Sequence, residues 1–146
     1  MNMKRIICAI LVLCMLPACA SALDLEEFNA MAYVLGASEI DVSALKTAGK
    51  YSGIVQDECS LYFEETAGKL SGIYIDGTGD KFLAYCCAAI RVFDPTGSTT
   101  ANHGQLLTMY LMAHTHKDHQ TGQTSNGYYF FIEPSETGFL FIIGDS

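Results

Sequence analysis

The sequence has little positive charge. It holds 8 Lys and Arg residues against 16 Asp and Glu residues, which gives a formal net charge of −8 at pH 7. No basic cluster offsets this charge locally, so the chain repels phosphate backbones and anionic lipid surfaces. We therefore expect no nucleic acid among its partners.

Several catalytic signatures are also missing. The sequence has no G-x-S-x-G nucleophile elbow and no glycine-rich, lysine-bearing loop of the kind that cradles phosphates. The segment Asp76–Asp80 carries acidic residues around two glycines, but it lacks the third acidic ligand and the distal Glu of an EF-hand. With these signatures absent, the sequence offers one group of candidate functional residues, close to residue 116. It predicts no other catalytic or cofactor-binding residue.

The N-terminus has the pattern of an export signal. Lys4 and Arg5 precede an uninterrupted apolar run, Ile6–Leu16, which Pro17 ends. The run is shorter than the ~20 apolar residues that span a membrane. A small-x-small cleavage site, Ala20–Ala22, follows. The sequence predicts a signal peptide over residues 1–22 and a single globular domain over residues 23–146.

An alternative is lipoprotein processing. Leu16–Cys19 resembles a lipobox, in which Cys19 would become a lipidated N-terminus and the chain's only attachment to a membrane. Both alternatives predict export, to a secreted or periplasmic state or to a surface-anchored lipoprotein. Removing Lys4 and Arg5 leaves 6 basic and 16 acidic residues, a formal net charge of −10. The remaining length is that of one domain with a core of its own.

Cysteine usage leaves the redox chemistry open. Three of the six cysteines lie in the predicted leader and three in the domain. An odd number permits at most one internal bridge. The alternatives are a Cys59–Cys86 or Cys59–Cys87 disulfide, or three buried thiols that pack as small hydrophobic side chains.

Helical periodicity recurs along the domain. The first pattern begins after Asp24 and ends at Gly36, and a short one follows over Ile40–Lys50. Two longer patterns begin at Asp80 and at Asn102. The sequence thus predicts three or so helices, the last of which runs to His114.

The sequence pattern predicts a β-hairpin in each of two further segments. Residues 58–75 contain a period-two run, a glycine-bearing connection and a second β-rich run. In the second hairpin, residues 128–143, the strands Tyr128–Ile132 and Phe139–Ile143 are continuously apolar, which predicts burial on both faces near the middle of a sheet. The connection Thr115–Gly127 has no apolar side chain and predicts a solvated loop. The fold class expected is α+β, with an antiparallel sheet packed against the helices.

The segment His114–His119 reads H-x-H-x-D-H. It resembles the dinuclear metal-binding signature of metallo-β-lactamase-fold hydrolases, over the stretch His114–Gly122. The resemblance implies that His114, His116 and His119 help to bind metal, and that Asp118 binds a second metal and orients the nucleophilic water. Imidazole and carboxylate groups suit that chemistry.

The rest of that family's ligand set is missing. No histidine follows His119, and the only later aspartate is Asp145. A complete enzyme of this family is therefore excluded on ligand count, unless another chain supplies the missing groups. The hypothesis that remains is a loose zinc site at His116, Asp118 and His119. Its alternative is a solvated helix end, in which His114 lies on the apolar stripe of the helix and is partly buried.

The function predicted from the sequence is binding. We expect an exported binding or interaction domain, at the cell surface or outside the cell, that recognises a protein or a small molecule and performs no chemistry. Four tyrosines are candidates for its contact surface: Tyr62, Tyr74, Tyr128 and Tyr129. The alternative is a metal-binding protein or metal-dependent hydrolase that uses His116, Asp118 and His119.

Overall fold

The structure, a computed structural model, describes residues 20–145. It confirms the predicted α+β class, with an antiparallel sheet of seven strands and helices packed against it. The elements are α1 (Ala20–Val34), a 3-10 turn (Val42–Ala44), β1 (Lys46–Ala48), β2 (Tyr51–Gln56), β3 (Cys59–Thr66), β4 (Lys69–Gly77), α2 (Gly79–Phe93), α3 (Thr99–His116), β5 (Gln120–Gln123), β6 (Tyr129–Ser135) and β7 (Gly138–Gly144).

The predicted leader lies outside the described residues, except for Ala20–Ala22 at the beginning of α1. The signal peptide and the lipidation of Cys19 therefore stay predictions. No helix in the described part of the chain is both long and apolar enough to cross a bilayer.

The sheet consists of two meanders joined in the middle. Its strand order is β1-β2-β3-β4-β7-β6-β5, and every neighbouring pair is antiparallel. Strands β1 to β4 form the first meander, and β5 to β7 form the second. The pairing of β4 with β7 joins the two meanders, while α2 and α3 occupy the connection between them.

One face of the sheet, here called the inner face, carries the core and the three helices of the described chain. The ring of Phe28 in α1 lies 5.2 Å from that of Phe63 in β3, measured between ring centroids. The ring of Phe82 in α2 lies 6.5 Å from that of Phe139 in β7. Helix α3 packs Met109 against Gly122 of β5, where a Cβ atom would lie 2.7 Å from the Met109 sulfur. The helices therefore form a single layer.

Both predicted hairpins are confirmed, with longer strands than the sequence indicated. The first consists of β3 and β4, joined by the turn Ala67–Gly68. The second consists of β6 and β7, joined at Glu136 and Thr137, because Glu133 and Pro134 continue β6 instead of starting a turn.

The short helix predicted over Ile40–Lys50 is wrong. The structure has one 3-10 turn there, where the Asp41 side chain accepts a hydrogen bond from the Ser43 backbone N–H at 3.0 Å, and then strand β1. Gly49 has a φ of 62° and opens a two-residue connection to Tyr51. Glycine at the first central position is typical of a type II′ hairpin turn, so Gly49 starts a hairpin rather than ending a helix.

The prediction of a loop over Thr115–Gly127 is wrong in part, because this segment contains strand β5. That strand pairs with β6 through its backbone and has no apolar side chain. Its inward position is Gly122, which is buried against Phe130 and Met109. The hydrophobic pattern therefore gave no signal for this strand.

The burial predicted on both faces of the last two strands is also wrong. In β7, Phe139, Phe141 and Ile143 are buried under the helices, whereas Leu140 and Ile142 point to the opposite face and are only half-buried. In β6, Phe131 is likewise half-buried. These side chains are as apolar as the core residues beside them, but no element of the described chain covers them.

In the structure the three cysteines of the domain are buried free thiols, and none of them forms a disulfide: Cys59, Cys86 and Cys87. Burial raises the pKa of Cys59 and that of Cys87 to about 11, and raises the pKa of Cys86 well above its usual value. Thiolate is the reactive form of cysteine, so these thiols are chemically inert at neutral pH.

Asp57 anchors the β2–β3 turn to the helical layer. Asp57 and Glu58 have φ values of 50° and 59°, the left-handed conformation of a type I′ turn without its usual glycine. The Asp57 carboxylate accepts hydrogen bonds from the Ser38 backbone N–H at 2.8 Å and from the buried Tyr85 hydroxyl at 2.6 Å. The Tyr85 hydrogen bond is the main reason that the pKa of Asp57 lies below its usual value.

Replacing Ala67 by glycine should stabilise the fold. Ala67 has a φ of 53° in the β3–β4 turn, where a Cβ atom costs roughly 1 kcal/mol. We expect Ala67→Gly to raise the free energy of unfolding in urea by up to about 1 kcal/mol, and Ala30→Gly on the exposed side of α1 to lower it by about 1 kcal/mol. A loss of stability in both variants would contradict the strain assigned to the turn.

Replacing Tyr85 by phenylalanine should destabilise the protein more at pH 7 than at pH 3. Losing the hydrogen bond to Asp57 should cost about 1–3 kcal/mol while the carboxylate is charged. Because the folded-state pKa of Asp57 is lowered, its contribution is present above the unfolded pKa of about 3.9 and is lost as the pH falls through the folded value. Urea titrations at the two pH values measure the difference. Tyr62→Phe, which removes an exposed hydroxyl, is the matched control, and an equal loss for Tyr85→Phe at both pH values would refute the role of Asp57.

Candidate functional site: the outer face of the sheet

The face of the sheet opposite the helices, here called the outer face, carries a continuous row of side chains across all seven strands. The register aligns them directly opposite one another on neighbouring strands. This central row consists, in sheet order, of Lys46, Gly53, Tyr62, Tyr74, Ile142, Phe131 and Thr121. Four of the seven side chains are aromatic or aliphatic.

The outer face exposes large apolar side chains. Val55 is 72% exposed, Tyr129 60%, Tyr62 45% and Tyr51 37%. An antiparallel sheet with one wet face normally places polar side chains there. A contiguous apolar surface on a small protein typically marks a site of interaction.

The carboxylates on this face are held by neighbours within the chain. Glu64 forms a salt bridge with Lys50 and accepts a hydrogen bond from the Tyr74 hydroxyl at 2.9 Å. Although burial alone would raise the pKa of Glu64, these two partners lower it. Asp76 accepts hydrogen bonds from the hydroxyls of Ser135, at 2.8 Å, and Thr137, at 2.5 Å. Both carboxylates are therefore hydrogen-bonded within the chain, and Glu64 is also paired with a cation.

A groove opens on the outer face beside β1 and β2. Its volume is about 710 Å³. Gly53 forms the floor of the groove, and the ring of Tyr62 lies across it, only 2.8 Å from where a Cβ atom on Gly53 would stand. Six of the nine lining residues belong to the outer face: Lys46, Ala48, Tyr51, Gly53, Val55 and Tyr62.

Lys46 is the only charged residue that lines the groove. It is exposed at the edge strand β1, and it forms no salt bridge with any side chain that the structure describes. The nearby Lys50, whose ammonium lies 5.3 Å from the Tyr51 ring, is paired with Glu64, so Lys46 supplies the positive charge without a salt bridge beside this apolar surface.

Three of the four tyrosines that the sequence singled out lie on the outer face. Tyr62 and Tyr74 belong to the central row, and Tyr129 lies near its β5–β6 end. Tyr128 does not join them, because its ring packs at 5.1 Å against that of Phe93 at the end of α2. Sequence reasoning missed Lys46, because it assigned Ile40–Lys50 to a helix, and it assigned no element to the segment that contains Gly53.

The histidine segment begins at the end of α3. The helix ends at His116, and Lys117 takes the left-handed conformation with a φ of 57°. His114 is exposed, so the prediction that it is partly buried is wrong. The inward side of α3 consists of Leu106, Met109 and Ala113. His114 comes one residue after Ala113 and lies at the edge of this inward side, where its ring is 6.1 Å from that of the buried Phe139.

The predicted metal ligands lie on either side of this helix end. His116 belongs to α3, whereas Asp118 and His119 follow the turn at Lys117. The Asp118 carboxylate accepts a hydrogen bond from the Gln120 side chain at 2.6 Å. Within the described residues, no three His, Cys, Asp or Glu side chains form a group able to hold a metal ion. The zinc site stays a prediction.

His119 contacts the outer face instead. Its ring lies 5.0 Å from that of Phe131 in the central row. Its Nε2 is 3.0 Å from the Thr121 hydroxyl, and its Nδ1 is 3.5 Å from a Glu133 carboxylate oxygen. Both ring nitrogens therefore have partners within hydrogen-bonding distance, which a metal ion would have to displace.

Zinc titration tests the site predicted at His116, Asp118 and His119. Because both His119 nitrogens have protein partners, we expect only weak zinc uptake by the purified protein, and we expect His116→Ala and His119→Ala to leave it unchanged. Metal analysis after gel filtration measures the tightly held fraction. His103→Ala, at an exposed position on the same helix, is the matched control. One zinc per chain that is lost only in the first two variants would instead establish the metal site.

Comparison with known proteins found no similarity that identifies the chain: no family model, no curated protein and no solved structure matches it. Its function therefore has to be inferred from its own residues, above all from those of the outer face and the groove.

Proposed function

We propose that this chain is an exported binding protein that holds a small amphipathic anion in the groove beside β1 and β2. The observation that carries the proposal is the groove itself. Ligand pockets typically enclose about 300–1,000 Å³ and are mostly apolar, with a few polar groups that fix the ligand's orientation. The groove, at about 710 Å³, has an apolar lining and a single cation, Lys46.

The lining suggests how each part of the ligand is held. The apolar body, aliphatic or aromatic, packs against Val55 and against the ring of Tyr62, which itself covers Gly53. Burying this part removes apolar surface from water and supplies most of the affinity. The anionic head, a carboxylate or a phosphate, pairs with the ammonium group of Lys46.

Lys46 also determines which ligands are accepted. The net charge of −8 disfavours anions elsewhere on the surface, whereas Lys46 offers an unpaired cation at the rim of an apolar groove. An amphipathic anion satisfies both features at once. A neutral ligand would leave the ammonium group unused, and a cation would be repelled by it.

Export is supported by the N-terminal pattern of Lys4, Arg5 and the apolar run Ile6–Leu16. Cleavage after Ala22 would release the domain, and lipidation of Cys19 would attach it to a membrane surface. The chain would then sample ligands outside the cytoplasm. Binding of zinc or catalysis through His116, Asp118 and His119 is the alternative function.

Calorimetric titration with dodecanoate, compared with uncharged dodecyl maltoside, tests the proposed ligand class. We expect the protein to bind dodecanoate more tightly, and Lys46→Met to weaken that binding about three- to tenfold because an ion pair is lost. Tyr62→Ala should weaken the binding of both molecules, because it removes an apolar wall of the groove.

Lys69→Met is the matched control for charge. Lys69 is exposed at the beginning of β4 and does not line the groove, so its loss should leave dodecanoate binding unchanged. Equal affinity of the protein for the two amphiphiles would sink the proposal, as would equal effects of the two lysine substitutions.

A further inference from the structure

Strands β6 and β7 have the composition of strands covered on both faces, although the described chain covers only one. Phe139–Ile143 is an unbroken apolar run, whose odd-numbered positions face the helices. Leu140 and Ile142 face outward, as does Phe131 of β6. Unbroken apolar runs are typical of strands that are buried on both faces.

We propose that a second copy of this chain covers the outer face, so that the two sheets form a sandwich. Two sheets pack face to face about 10 Å apart through interdigitated side chains. A two-fold axis makes the same patch serve on both copies, which is the commonest arrangement in soluble oligomers. The proposal does not rest on a ligand in the groove, but the contact shares Tyr62 with the groove.

The outer face is large enough for this contact. Strands lie about 4.8 Å apart and rise about 3.4 Å per residue, so five strands of about seven residues cover roughly 600 Å². Two copies would then bury about 1,200 Å² in total, which is the lower end of specific protein interfaces. The expected dimer is therefore reversible and concentration-dependent.

The register suggests the position of the axis. An axis parallel to the strands, between β4 and β7, places Tyr74 opposite Ile142 of the second copy. On the strands further out, Tyr62 then lies opposite Phe131 of the second copy. Aromatic and aliphatic side chains therefore meet at the centre of the contact.

No carboxylate lies directly opposite another carboxylate in this arrangement, but Asp76 faces an apolar side chain of the second copy, and its desolvation opposes the association. The same axis places Asp76 opposite Leu140, and Glu133 opposite Ser60. Strand β2 lies opposite β5, while β1 has no strand opposite it, because the sheet has four strands on one side of the axis and three on the other. The edge of the groove that holds Lys46 therefore stays open to solvent.

Repulsion between the two copies is a long-range effect. Each chain carries a formal net charge of −8, or −10 without the predicted leader. Salt screens charges separated by more than about 8–10 Å at 0.10–0.15 M ionic strength. An apolar dimer of like-charged copies should therefore become tighter as the salt concentration rises.

Sedimentation equilibrium of the purified protein at increasing concentration tests the proposal. We expect a monomer–dimer equilibrium that shifts toward the dimer in salt, with mostly dimer at about 100 μM chain. Ile142→Lys and Phe131→Lys place an ammonium group in the contact, and each should raise the dissociation constant at least about a hundredfold.

Leu111→Lys is the matched control. Leu111 is 54% exposed on α3, in the layer on the other face, so this variant should dimerise like the unchanged protein. Circular dichroism confirms that each variant is folded. A monomer at every concentration and salt would overturn the proposal, as would a dimer that only Leu111→Lys disrupts.

Discussion

Helix α2 determines how the inner face of the sheet is covered. Nine of its fifteen residues are buried, because it packs on β4 and β7 and is flanked by α1 and α3. Asp94 at its C-terminal end is buried and accepts hydrogen bonds from the Ser125 backbone N–H and hydroxyl, at 3.0 and 2.6 Å. Tyr85 in its middle donates a hydrogen bond to Asp57. The helix is therefore fixed both to the β2–β3 turn and to the loop before β6.

This arrangement uses all the described helices on one face. Helices α1 and α3 have their own contacts with the inner face, through Phe28 and Met109, so neither is free to move to the other side. No described helix is then left to cover the outer face, so its apolar side chains stay uncovered. The groove lies at the β1–β2 end of that face and the proposed dimer contact at its centre, and the two share Tyr62.

The sequence predicted the elements that have a hydrophobic period, and missed those that do not. Both hairpins and the buried helix α2 follow from apolar spacing, and Cys59, Leu61 and Phe63 alternate as predicted. Strand β5 is held through its backbone and buries only Gly122, so no side-chain pattern marks it.

The same limit applies to the candidate site. Tyr62, Tyr74 and Tyr129 could be selected from the sequence because aromatic residues alternate with core residues in their strands. Lys46 could not, because Ile40–Lys50 also fits a short helix, and Gly53 could not, because its place under the Tyr62 ring depends on the β2–β3 register. The continuous apolar strands predicted burial on both faces, which the described chain provides on one face only. A single sequence does not show whether another chain covers the second face.

The salt concentration should affect differently the two associations proposed for the outer face, which are ligand binding in the groove and dimerisation. An anion at Lys46 experiences attraction from one nearby cation and repulsion from the net charge of −8 on the whole chain. Salt weakens both terms, so its net effect on ligand binding is small. Two copies of the chain repel each other at long range, while their contact at Ile142 and Phe131 is apolar and insensitive to screening. Salt therefore acts on the dimer almost entirely through the repulsion. For the same reason, an apolar face of this size is compatible with a monomer at low ionic strength, where the acidic surface opposes its self-association.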